Sequence, residues 1–442
     1  MMMLVQFLVV LAAIYIGARL GGIAIGFAGG LGVLILALLG ASPGELPLDV
    51  ISIIVSVIAA IAAMQVAGGM DFLISVASRI LRKNPRFLNF LAPLVTYVMT
   101  FLAGTGHTAY STMPVIVEVA KEADIPPSRP LSLSVVASQV AITASPISAA
   151  VVVFSGMLTE FNTGFDYVDL LLVAIPSTFA AVLLSPVLTG LIDKARHTPR
   201  LSEMAVYQHN LADGKVKPAA PASEIQLKPH AKLSVLIFLI GLLAVTVYAT
   251  VISDKVGLVQ NPIMNRDAAI IAMMLATAAV IVLVCKVQAA DILNASTFKS
   301  GMSAAICVLG VAWMGMTFIN ANMDVISSVS QSVLKSQPWL LAVVLVLAST
   351  LLYSQAATTR AIMPTALALG VSGAAAIAAF PGVSGLFILP TYPTLLAATE
   401  MDDTGSTRIG KYIFNHPFIL PGVLMIGISV AFGFAITAFM GA

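Results

Sequence analysis

Two long apolar stretches of this chain are each broken at the centre by a short polar sequence. Residues 87–120 contain GTGHTAYST at 104–112, and residues 339–371 contain SQAATTR at 354–360. Each stretch has the length of two short helices. In lipid, backbone polar groups must be satisfied internally, so non-helical backbone survives only where protein or a cavity surrounds it. Both stretches therefore read as re-entrant hairpins, entering and leaving a membrane on the same side.

The rest of the chain supplies the membrane. Of 442 residues, 59% are hydrophobic and 10% charged, against about 25% charged in soluble proteins. Uninterrupted apolar runs at about 4–18, 21–40, 48–67, 131–158, 167–192, 233–253, 268–285, 301–321, 373–399 and 411–440 predict helical spans. The expected fold is an all-α polytopic membrane protein with about ten full spans plus two hairpins. The first run lacks a basic start and an A-x-A-like end before Arg19, so it reads as a retained span rather than a signal peptide. Basic residues sit in loops between spans, which argues against a nucleic-acid partner. Cys285 and Cys307 lie in or beside apolar runs, which argues against a disulfide or a metal site.

The two halves repeat. MDFLISVASRILRKNP from Met70 and MDVISSVSQSVLKSQP from Met323 share six of 16 positions. HTAYSTMP at 107–114 matches ATTRAIMP at 357–364, and TASPISAAV at 143–151 resembles PTYPTLLAA at 390–398. The boundaries follow as a first repeat over 1–192, a linker over 193–232 and a second repeat over 233–442. Five full crossings per half make the second repeat inverted, and both termini external. With that orientation, 18 of the 22 Lys and Arg fall in inner segments. Lys255, Arg266 and Lys335 fall outside, and Arg360 remains within, as the positive-inside rule favours. The proline-rich, basic linker is expected in the cytoplasm.

Inverted repeats with paired broken helices are a recurring plan of secondary transporters. A helix restarted at mid-membrane presents free N–H groups and the positive end of its dipole, which attract anions. Four such places are expected: Gly104–Thr108, Ser145–Pro146, Ser354–Thr359 and Thr391–Pro393. Pro146 and Pro393 also leave carbonyls without their helical donors. Hydroxyls gather at the same places: Thr105, Thr108, Ser145 and Ser148 in one half, and Ser354, Thr358, Thr359, Thr391 and Thr394 in the other. Gln355 and Tyr392 lie among them. Taken singly, such a hydroxyl is more often bonded to its own helix; clustered at four matched breaks, they read as a binding site.

Arg360 sharpens the ligand. A guanidinium stays charged, and its burial is expensive without an anion. Its matched position is Tyr110, and the nearest acids in sequence, Asp324 and Glu400, fall at predicted span ends. Either it pairs an acid elsewhere or snorkels to the surface, or it forms a fork for a substrate carboxylate. One arginine with helix N-termini suits a small dianion. His107 has three readings: a carboxylate partner, a proton carrier, or a cap on the hairpin turn. Asp71 and Asp324 read as helix-start acids. The glycines of GARLGGIAIGFAGGLG and GVSGLF read as close helix packing rather than phosphate loops. No cofactor motif and no catalytic constellation is present, so an enzyme is not expected.

Taken together, AGTGHTAYSTMPVI, ITASPISAAVV, LLYSQAATT, LFILPTYPTLLAA and DDTGSTRIGKYIFNHPFILPG resemble the Dcu family of bacterial C4-dicarboxylate transporters, DcuA type. The resemblance runs from residue 4 to the C-terminus apart from the 196–230 linker. It implies exchange of fumarate, malate or aspartate for succinate across the inner membrane. The wider superfamily implies a homodimer with a scaffold and an elevator-like transport domain. One departure matters: sodium-coupled relatives carry Ser-Asn-Thr at both hairpin tips, where this chain has Gly-Thr-Gly-His-Thr and Ser-Gln-Ala-Ala-Thr. Sodium sites are therefore not carried over, and exchange or proton coupling is the expectation, with sodium- or proton-coupled symport and an anion channel as alternatives.

Overall fold

Helix breaks organise this protein as much as helices do. The structure, a computed structural model, describes all residues except 1, 21–22, 47, 217–226, 253–257, 260–261, 296, 300, 304, 307–308, 311–312, 319, 323–336, 390–391, 411–413 and 442. Among the described residues the regular structure is helical, with no strand. Cys307, Asp324 and most of the repeat copy starting at Met323 lie outside them.

The first helices are α1 (Met2–Leu20), α2 (Ala24–Leu38), α3 (Leu48–Val66) and α4 (Gly69–Lys83). The axis bends by 73° between α3 and α4. Gly68 makes the corner at φ +91°, a backbone that side chains resist. Beyond it, α4 carries Asp71 in its first turn and Arg82 and Lys83 in its last, each sign matched to the helix dipole.

Next come α5 (Leu88–Ala103), α6 (Ala109–Glu122), α7 (Ser128–Ala141), α8 (Ala149–Glu160) and α9 (Tyr167–Ala195). A capping box starts α9: Asp166 accepts from the Asp169 N–H, and Asp169 accepts from the Asp166 N–H. The short α10 (Ala205–Ala212) leads to α11 (Ala231–Val251), α12 (Arg266–Val284) and α13 (Ala289–Ile292). Further helical residues lie between 297 and 322. The chain closes with α14 (Leu340–Leu352), α15 (Gln355–Ala368), α16 (Gly373–Ala379), a 3₁₀ segment over Phe380–Phe387, α17 (Pro393–Met401) and α18 (Ile419–Phe439).

Among the described residues five helical stretches are long and apolar enough to cross a membrane: Pro85–Ala103, Tyr167–Ala195, Ala231–Tyr248, Asp267–Val284 and Ile419–Phe439. The apolar helices Ala149–Glu160, Leu340–Thr350 and Gly373–Phe387 are shorter. They are short because each adjoins an interruption: residues 142–148, the turn at Tyr353–Ser354, and the bend at 388–389.

Packing intermixes distant parts of the chain. α5 lies along α7, and α14 lies along Phe380–Phe387. α8 packs on α15, α17 on α6, and α9 on α18. One core cluster joins Met113 and Val135 to Phe387, Leu395 and Phe418. Another joins Phe154 and Leu170 to Leu345, Met363 and Phe380. The Phe154 and Phe380 ring centroids are 4.7 Å apart. Close backbone approach accounts for Gly26, Gly382 and Gly385 of the glycine motifs, whereas Gly30 faces open space. A Cβ on Gly385 would lie 2.7 Å from the Val346 carbonyl oxygen, and one on Gly310 would lie 1.9 Å from that of Gly26.

Segments read as inner touch one another. Arg129 grips Asp193 through two N–H···O bonds, Lys121 pairs Asp403 at 3.2 Å, and Arg82 pairs Glu122. On the side read as outer, Gly373 at the start of its span sits against Thr163 and Phe165, and Trp313, within the 301–321 span, donates to the Gly44 carbonyl at 2.7 Å. The linker is more than a connection. Ser202 donates to Asp124 through N–H and hydroxyl, and Asn210 donates to the Asp403 carbonyl at 3.3 Å. Residues 201–212 thus dock where α6 and α17 end.

Candidate functional site

The first hairpin turns where α5 stops. Gly104 takes φ +65°, and its N–H still reaches the Thr100 carbonyl at 2.8 Å. A 3₁₀ turn over Gly106–Thr108 then starts α6. The Thr108 and Thr100 hydroxyls share a 2.6 Å hydrogen bond, and Thr108 also donates to the Thr105 carbonyl at 3.2 Å. The side chain of His107 lies outside the described residues.

The break between α7 and α8 lies against this turn. A Cβ on Gly104 would come within 3.0 Å of the Ile147 side chain. Ser145 donates to the Phe101 carbonyl at 2.7 Å. Ser148 caps α8, accepting from the Val151 N–H at 3.2 Å while donating to the Ile142 carbonyl at 2.6 Å. The Pro146 carbonyl accepts from the Tyr167 hydroxyl at 2.9 Å. Carbonyls freed by the break are thus taken up by side chains, as buried backbone requires.

The second hairpin turns in the same manner. Tyr353 takes φ +53°, with its N–H on the Ser349 carbonyl at 3.0 Å. Ser354 caps α15 by accepting from Ala357 N–H at 3.2 Å. Thr358 and Thr359 donate to the carbonyls four residues back, each at 2.8 Å, the ordinary helix-packing bond. Arg360 follows on α15, partly buried, with its Nε shut off from solvent. Glu400 is exposed at the end of α17.

Tyr353 stacks on Tyr392, ring centroids 6.3 Å apart, so the second turn lies against the second break. Thr391 lies outside the described residues. Pro393 opens α17 without needing its missing N–H. Thr394 is 1% exposed, and its hydroxyl has no hydrogen-bond partner among the described residues.

Two further residues join these elements, and neither was among the expected site residues. The Gln139 carbonyl lies one turn before the first break. The Thr143 N–H that would serve it bonds Val140 instead. Gln355 and Ser384 donate to it at 3.3 Å and 3.0 Å. Ser384 and Gly385 are themselves non-helical, and Thr350 donates to the Gly385 carbonyl at 2.9 Å. The sequence signal for Gln139 was an amide inside an apolar run. Ser384 was hidden by the packing role of its flanking glycines.

Chemically, the arrangement offers the N-terminal ends of α6, α8, α15 and α17, buried hydroxyls, and the cation of Arg360. Among the described residues no three His, Cys, Asp or Glu side chains converge to hold a metal ion. Groups of this kind are suited to attracting an anion.

The sequence matches the family described as "Anaerobic c4-dicarboxylate membrane transporter" over residues 2–441. The chain belongs to that family. Its members are transporters rather than enzymes. C4-dicarboxylate transporter DcuA of Wolinella succinogenes is 57% identical over 436 residues, covering 98% of this chain and 99% of the relative. Its counterpart in Escherichia coli K12 is 53% identical, covering 99% and 100%. Helicobacter pylori 26695 has another at 49%, covering 98% of each. Among solved structures, the YdaH transporter of Alcanivorax borkumensis shares the fold, with TM-score 0.57 over 88% of this chain and 85% of that one. At 15% identity that likeness concerns architecture alone. The family places this multi-pass chain among membrane transporters.

Proposed function

We propose that the chain is a secondary transporter that exchanges C4-dicarboxylates, such as succinate, fumarate, malate and aspartate, across a bacterial inner membrane by alternating access. The observation that carries this reading is that each hairpin turn abuts a helix break, and the two pairs are joined at the Gln139 carbonyl. Arg360 pairs one carboxylate of the substrate. The N–H groups beginning α6, α8, α15 and α17 attract the other, with Thr105, Thr108, Ser145, Pro146, Ser148, Ser354, Gln355, Thr358, Thr359, Thr391, Tyr392 and Thr394 around them. His107 is the candidate for any coupled proton.

Two inverted repeats, 1–192 and 233–442, joined by the 193–232 linker, account for the similar turns and breaks in both halves. The mutual contacts of inner segments support a shared side for them and the linker, and the bias of Lys and Arg towards that side supports a cytoplasmic linker and periplasmic termini. An elevator movement in a homodimer is the mode of access that fits the family resemblance.

Exchange is the mode the family resemblance implies, with the loaded carrier reorienting and the empty one not. Counterflow tests this. Proteoliposomes loaded with succinate should take up labelled fumarate from sodium-free buffer, and empty ones should not. Equal uptake by both would rule out exchange.

A further inference from the structure

Gln139 is 1% exposed, and among the described residues neither its Oε1 nor its Nε2 has a hydrogen-bond partner. Native proteins rarely leave such a group unsatisfied, least of all in a span, and its persistence calls for an absent partner. The position is fixed from several sides. Its own carbonyl holds Gln355 and Ser384, and a Cβ on Gly106 of the first hairpin turn would lie 3.7 Å from the neighbouring Ser138 carbonyl oxygen. Residue 139 is thus held where both hairpin turns and the first helix break meet.

Its chemistry differs from that of the other groups there. Arg360 and the helix N-termini only donate, which suits carboxylates. An ammonium or hydroxyl on the substrate needs an acceptor as well. The described hydroxyls of Thr108, Ser145, Ser148, Thr358 and Thr359 already bond backbone carbonyls or one another, so their protons are spent, and Thr394 has a single proton to give. Gln139 offers a buried acceptor and two donors on one rigid plane.

We propose that Gln139 is the specificity-determining residue for the C2 substituent of the transported acid. Oε1 accepts from the ammonium of a 2-amino acid or the hydroxyl of a 2-hydroxy acid, and Nε2 donates to the adjacent carboxylate. Acids without that substituent use Nε2 alone. This rests on the C4-dicarboxylate reading above.

The test is counterflow into succinate-loaded proteoliposomes, with labelled fumarate uptake competed by unlabelled aspartate, malate, succinate and fumarate. In Gln139→Leu, apparent affinity for aspartate and malate should fall by about tenfold or more relative to succinate and fumarate, because a site built to bond a polar group discriminates through it. Gln139→Met, unbranched and similar in length, carries the same comparison if the Leu variant is not monodisperse in detergent. An equal loss for all four acids, or unchanged ratios in a folded variant, overturns the proposal. If the wild-type protein moves none of the four, the functional reading itself fails, a result distinct from either.

Discussion

Gly104 and Tyr353 end α5 and α14 in the same left-handed conformation, at φ +65° and +53°. Each sends its N–H to the carbonyl four residues back. One position uses the residue that this geometry favours; the other places a tyrosine there and stacks its ring on Tyr392. The two turns are alike in backbone and opposite in how they are held.

Exchanging residue types should therefore have opposite backbone effects. Gly104→Ala adds a Cβ at positive φ, 3.0 Å from Ile147, and should destabilise by about 1–2 kcal/mol. Tyr353→Gly relaxes the backbone by up to about 1 kcal/mol but loses the stack, worth about 0.5–1.5 kcal/mol. Its melting temperature in detergent should stay near wild type while that of Gly104→Ala falls. Equal losses would show that backbone geometry is not what distinguishes the turns.

Arg360→Gln should insert and fold yet lose affinity for C4-dicarboxylates by about 10–100-fold, the worth of a charge-assisted bond. Arg360→Lys keeps the charge without the fork and should fall between. Competition in the counterflow assay measures both, and wild-type affinity in Arg360→Gln would remove the assigned role.

The pair of Arg129 at the start of α7 and Asp193 near the end of α9 is mostly buried, the side chains being 19% and 20% exposed. Its Nε–Oδ2 distance is 2.7 Å, with a second bond beside it. Arg129→Lys cannot reproduce the fork. It should lower stability by about 1–2 kcal/mol, and Arg129→Ala by more, through the carboxylate left behind. Thermal unfolding in detergent of both variants, with Asp193→Asn as partner, gives the coupling.

Asp402 is 4% exposed and organises the 402–407 loop. It accepts from the Thr404 N–H and hydroxyl, the Ser406 hydroxyl at 2.8 Å and the Thr407 N–H at 2.6 Å. Asp402→Ala should cost about 2–4 kcal/mol by stranding these donors. It should also expose the docked 201–212 segment to protease, because Asn210 bonds the neighbouring Asp403 carbonyl. Proteolysis at the wild-type rate would show the loop does not hold that segment.

Both hairpin turns were legible because small polar residues clustered inside an apolar run are costly in lipid unless the backbone turns there within protein. Gly104 announces a left-handed turn; Tyr353 does not, since its conformation depends on Tyr392, which no local pattern reveals. The hydroxyls at the breaks were visible as a cluster, but their bonds were not: Ser148 as a cap and Ser145 on the Phe101 carbonyl depend on neighbours brought close by folding. Gln139 escaped notice because its meaning lies in partners from beyond residue 350. The 201–212 segment read as a plain connection because its anchors, Asp124 and Asp403, are distant in sequence.

The bonds from Gln355 and Ser384 to the Gln139 carbonyl span 216 and 245 residues of sequence. At ribosomal speeds of about 5–20 residues per second, the donors leave the exit tunnel roughly 10–50 s after their acceptor. For that interval the nascent chain holds a half-made bundle in which the Gln139 carbonyl has neither of these two donors. Biogenesis of this protein therefore includes a waiting step, during which the insertion machinery and membrane proteases meet an unfinished client, and translation rate sets how long they have.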